Sequence, residues 1–213
     1  MTINLDHLPV TRGLAEDDGA AGHPVHPLLH PLFPGGLRPE VYSLQGASSV
    51  GLGLLVGGWC GVVGVPELGV EAAQQWGVDL SRLVLVPEPG GWLETVATLV
   101  EGLDVVLACA PGALPAGACQ RLSARLRSQG STLVVLGHWP KVGTRIEVRT
   151  VGWHGLGRGH GSLSAQDLEV TVTRHHRVRS LGLVHDARGI RRREEGEVEA
   201  GGVGEIPPMR RAG

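Results

Sequence analysis

Gly46-Ala47-Ser48-Ser49-Val50-Gly51-Leu52-Gly53 decides how this chain is read. A short β-type run at residues 41–44 precedes it, and an apolar stretch at residues 52–56, predicted as a helix, follows. A glycine-rich turn from strand to helix is where a phosphate-binding loop belongs, because backbone N–H groups and a helix N-terminus face the anion there. Gly46 and Gly51 stand at the spacing of such a loop, G-x-x-x-x-G. The next two residues should then be Lys, which neutralises the β- and γ-phosphates, and Ser or Thr, whose hydroxyl holds Mg²⁺. They are Leu52 and Gly53, which can do neither. On spacing alone the segment is an ordinary turn, since the chain carries 34 glycines.

Outward from this loop, strand and helix patterns alternate about five times. Residues 59–65 are apolar and β-branched, a buried strand. Pro66-Glu67 opens a helix with Leu68, Ala72 and Trp76 on one face, stopped by Gly77. Residues 83–86, 104–108 and 132–136 read as strands. Between them Leu93, Val96, Ala97 and Val100, then Ala118, Leu122 and Leu126, mark two helical faces. Apolar strands joined by helices predict an α/β fold with a mostly parallel sheet flanked by helices. The period then changes to two. Ile146 and Val148 alternate with Glu147 and Arg149, and Leu168, Val170 and Val172 repeat the pattern. These runs predict an added antiparallel hairpin.

The boundaries follow from composition. Residues 1–39 read as a flexible N-terminal arm, proline-rich from residue 23, where five prolines forbid a helix and favour an extended segment. Residues 40–184 form the domain. Residues 185–213 are expected to be a disordered tail, with Arg191-Arg192-Arg193 followed by Glu194, Glu195 and Glu197. A net charge of −2 excludes a broad DNA-gripping face, and five Trp, one Tyr and one Phe argue against a stacking platform for single strands. Cys60, Cys109 and Cys119 show no C-x-x-C spacing and read as small buried hydrophobes of a reducing compartment. With no signal-peptide pattern and no membrane-spanning run, a cytoplasmic protein is expected.

Several segments in order resemble the RecA family. Gly35-Gly36-Leu37 before the first strand, Trp76-Gly77-Val78-Asp79 before the third and Leu103-Asp104-Val105-Val106-Leu107 each look like a stretch of that family. More closely, residues 24–176 resemble the RecA-like ImuA proteins of bacterial SOS mutagenesis cassettes, nearest the actinobacterial ImuA-prime branch. The resemblance rests on residues 59–69 and 153–161 as well. It implies a RecA-like fold and a partner, an ImuB-like Y-family polymerase homologue, with a DnaE-type error-prone polymerase engaged indirectly. It also implies work at the nucleoid when that complex forms. Carried over residue by residue, the ATP site is degenerate. Leu52 stands for the loop lysine, Gly53 for the Mg²⁺ hydroxyl, Cys109 for the Walker B aspartate and Val65 for the catalytic glutamate, with Glu67 two residues late. Neither an enzyme nor a nucleotide or metal cofactor is expected. The alternative is a SulA-like cell-division inhibitor that binds the tubulin-like division protein.

Weaker signals complete the reading. His23, His26 and His30 each precede proline and share no helical face, so no metal site is expected. Arg158 and His160 lie in a glycine-rich loop between the two amphipathic strands. With Arg174, Arg177, Arg179, Arg191, Arg192 and Arg193 they are the candidates for weak DNA contact or for a partner.

Overall fold

The strand and helix signals resolve into one nine-stranded mixed sheet with helices on both faces, in a computed structural model that describes residues 22–155 and 164–193. The elements in chain order are β1 (Val41–Gly46), β2 (Cys60–Val63), α1 (Val70–Gln75), β3 (Leu83–Val86), α2 (Trp92–Gly102), β4 (Val105–Cys109), α3 (Ala116–Gln129) and β5 (Thr132–Leu136). Four long or edge strands follow: β6 (Thr144–His154), β7 (Ala165–Arg174), β8 (Arg177–Asp186) and β9 (Gly189–Arg192). Across the sheet the order is β3-β2-β4-β5-β1-β6-β7-β8-β9. Strands β3 to β6 are parallel, and β6 to β9 form an antiparallel meander.

Burial explains the two styles of strand. Strands β2, β4 and β5 are covered on both faces, so nearly every residue is apolar. Helix α2 turns Trp92, Val96 and Val100 inward, and α3 turns in Ala118, Cys119, Leu122 and Leu126. Gly130, at φ 68°, ends α3 in the left-handed region that glycine enters without strain. These two helices pack on Val63, Val106, Ala108, Leu133 and Val135. The opposite layer joins Tyr42, Leu44, Val62 and Leu107 to Ile146, Val170 and Leu183, under Leu29, Phe33, Leu52 and Trp76. On β6 only one face is covered, hence the alternation of Thr144, Ile146 and Val148 with exposed Arg145, Glu147 and Arg149.

Four expectations are corrected. The stretch from residue 23 is not a solvated arm. His23 bridges Leu37, the His26 N–H donates to Gly53 O, and Val25, Leu29, Leu32, Phe33 and Leu37 are buried. Prolines spaced three to five apart left room for apolar side chains that each gain about 1.5–3 kcal/mol on burial. Residues 52–56 do not form an α-helix; Ser48–Leu54 is a 3-10 segment, as two glycines in seven residues weaken α-helix formation. The expected hairpin of β6 and β7 is antiparallel, but it does not extend the sheet antiparallel, because β6 pairs parallel with β1. Order does not fade at residue 185: β8 continues to Asp186 and β9 follows. The turn is set by Asp186, whose carboxylate accepts from the Arg188 N–H at 2.7 Å, and by Gly189 at φ 116°. Residues 1–21 and 194–213, expected to be flexible, lie outside the described residues. Among those described, no helix is long and apolar enough to cross a membrane.

Candidate functional site

The glycine-rich loop sits where β1 leaves the sheet, at the C-terminal edge of the parallel strands. In open α/β sheets that edge is where ligands bind. At the end of β1 that place is filled by the protein itself. Gly46 has φ 93°, and a Cβ on it would meet Val148 O at 1.8 Å, so the residue is fixed by strand packing. A Cβ on Gly51 would lie 2.9 Å from Leu44 Cδ2. A Cβ on Gly53 would lie 2.6 Å from the Trp76 ring and 2.9 Å from Leu29 Cδ1. Leu52 is only 3% exposed and packs in the core. Ser48 is exposed and Ser49 half-buried. The segment therefore points its middle inward, against Trp76 and Leu29, where a phosphate loop must leave its backbone open.

The other carried-over positions line the same edge. Cys109 is not the buried hydrophobe expected: it ends β4, where the strand leaves the covered sheet, and is exposed, paired across to Leu136. Val65 is half-buried and Glu67 exposed beyond the end of β2. Between the ends of β4 and β5 runs a groove of about 470 Å³ lined by Ala110, Leu114, Leu136, His138 and Trp139. It holds no carboxylate. Among the described residues no three His, Cys, Asp or Glu side chains gather as a metal site. The buried thiols are muted. Burial, then Asp79 and Asp104, push Cys60 up to about 11, and burial raises Cys119.

The basic candidates come together at the far edge of the sheet. Arg174 and Arg177 flank the β7–β8 turn, Arg179 is on β8, and Arg191 and Arg192 are on β9, which pairs with β8. Arg174 leans toward Glu40 at 3.6 Å, and Glu40 also accepts from the Thr144 hydroxyl. The Arg193 N–H donates to Gly182 O, continuing the ladder. Arg158 and His160 lie outside the described residues. Sequence reasoning missed one polar pair: His154 Nε2 lies 2.9 Å from Asp167 Oδ2, while Asp167 Oδ1 is buried without a partner. The bulge between Thr150 and Gly152 that aligns the pair left only a lone glycine as its signal.

A family model for the MT3502 N-terminal domain matches residues 31–141. An uncharacterized protein of Mycobacterium tuberculosis, Rv3395c, is 37% identical over 134 residues, covering 59% of this chain and 66% of that protein. The chain thus spans slightly less than two thirds of that relative's length. The crystal structure of SulA from Pseudomonas aeruginosa aligns at 16% identity and a TM-score of 0.38, covering 46% of this chain and 98% of that one. The matched family region holds the glycine-rich loop, Cys109 and the β4–β5 groove, and stops before β6.

Proposed function

The chain belongs to the MT3502 N-terminal domain family, and from that premise we propose that it is a non-catalytic, RecA-like accessory subunit of a DNA-damage-induced translesion synthesis complex. Its protein partner is an ImuB-like Y-family polymerase homologue, through which a DnaE-type polymerase is engaged. It works in the cytoplasm and joins the nucleoid with that complex.

The observation that carries the reading is the filled loop. Leu52 is buried where the lysine of a working loop faces phosphate, and Trp76 occupies the space any side chain at position 53 would need. Transferring a phosphoryl group depends on cationic and metal contacts at those two places, each worth orders of magnitude in rate. Without them the fold retains its use as a rigid body that presents surfaces. The ordered resemblance to ImuA proteins supplies the complex in which such a body works.

Affinity capture of the tagged full chain, from cells with and without DNA damage, tests the proposal. The expected result is damage-dependent recovery of a Y-family polymerase homologue. Recovery of the tubulin-like division protein in its place would move the chain to the cell-division inhibitors.

A further inference from the structure

The net charge of −2 conceals a steep partition. Residues 174–193 contain seven arginines and one carboxylate, Asp186, a sum of +6 that leaves −8 for the rest of the chain. Folding turns this stretch into the outer edge of the sheet, made of the β7–β8 turn, β8 and β9. The period-two pattern puts Arg177, Arg179 and Arg192 on one face of that edge and Arg191 and Arg193 on the other. Arg177, Arg179 and Arg192 are exposed and have no carboxylate partner among the described residues. Asp186 is engaged by the Arg188 N–H.

Edge protection alone does not require this. The opposite edge strand, β3, is Leu83-Val84-Leu85-Val86 and carries no charge. An acidic protein would need an apolar centre to the interface, with aromatic or aliphatic anchors in pockets. The rim offers one large exposed apolar side chain, Val178. It also has no Phe, Tyr or Trp on which an unpaired base could stack. What remains is a line of guanidinium groups suited to phosphates. Ten residues of β8 extend about 34 Å, close to one turn of duplex DNA.

We propose that the arginine rim of β8–β9 is a sequence-independent contact for the phosphate backbone of duplex nucleic acid. The rim lies outside residues 31–141, the part matched by the family model. The inference rests on charge and geometry and does not depend on which protein partner the body binds.

Fluorescence anisotropy of the full chain with a labelled duplex of about 30 base pairs tests it. Three phosphate contacts, from Arg177, Arg179 and Arg192, give a log–log salt slope of about −2.7, so affinity should fall about 40-fold between 50 and 200 mM salt. Arg177→Glu/Arg179→Glu should weaken binding at 50 mM salt at least tenfold and flatten the slope by about 2. Arg177→Lys/Arg179→Lys should stay within about threefold of the parent, because a phosphate contact needs charge more than shape. If the first charge reversal misfolds by circular dichroism, Arg188→Glu/Arg192→Glu replaces it with the same expectation. The proposal is overturned by no duplex binding at 50 mM salt, by unchanged binding of the folded charge-reversed chain, or by a single strand of equal length binding more tightly than the duplex. Loss of polymerase capture with duplex binding intact would count against the accessory-subunit reading and leave the rim standing.

Discussion

Restoring the two missing residues of a working phosphate loop should damage this protein. In Leu52→Lys/Gly53→Ser the serine Cβ would start 2.6 Å from the Trp76 ring and 2.9 Å from Leu29 Cδ1. Trp76 is 2% exposed and Leu29 fully buried, so neither can swing aside. Overpacking of this kind costs about 1–3 kcal/mol. The lysine forfeits the burial of Leu52, about 1.5–3 kcal/mol, and must carry its ammonium out through the same packing. Together the changes remove about 3–6 kcal/mol from a total of roughly 5–15. At this chain length each kcal/mol lowers Tm by about 2–4 °C, so the double variant should melt on the order of 10–20 °C below the parent. Thermal melts by circular dichroism, with and without Mg-ATP, measure it. A variant that melts within about 2 °C of the parent and is then stabilised by Mg-ATP would falsify the packed-loop account.

Three further outcomes follow from other parts of the structure. Burial holds the His23 imidazole below its ordinary value of 6.5, with Asp104 and the Val56 backbone opposing in part. The unfolded chain therefore takes up the proton first, and stability should fall as pH drops below about 6.5; His23→Gln should lose less across that window in melts at successive pH values. Of the three thiols, Cys109 alone is exposed, so a thiol reagent at neutral pH should label Cys109 quickly and Cys60 and Cys119 only on unfolding. Truncation after Val184 removes β9, including half-buried Ile190, from its place against the core cluster that contains Leu183, and should cost at least about 1–3 kcal/mol in a urea titration.

The parallel half of the fold was legible because its strands are short, apolar and separated by helices whose faces repeat at three and four residues. Leu122 and Leu126 are buried in α3 where the pattern put them, and Val96 and Val100 likewise in α2. The proline-rich stretch misled because proline marks where a helix cannot run but is silent on whether Leu29 and Phe33 find a core. The meander beyond residue 184 was hidden by its arginines, which read as a charged tail although Leu181 and Leu183 keep the strand period in β8. At the loop, Leu52 and Gly53 already ruled out a working lysine and hydroxyl. That Trp76 fills the vacated space depends on a contact across 23 residues, beyond the reach of local pattern. The basic rim needed the sheet register, which alone places Arg179 and Arg192 on adjacent strands.

Isothermal titration of the full chain with Mg-ATP asks whether the packed loop leaves any room for nucleotide. With Leu52 in the core and the space at Gly53 filled by Trp76, no binding heat is expected at millimolar nucleotide. Micromolar binding that disappears in Ser48→Ala/Ser49→Ala would contradict that expectation, because Ser48 is exposed, Ser49 is half-buried, and neither belongs to the core cluster of Leu52 and Trp76.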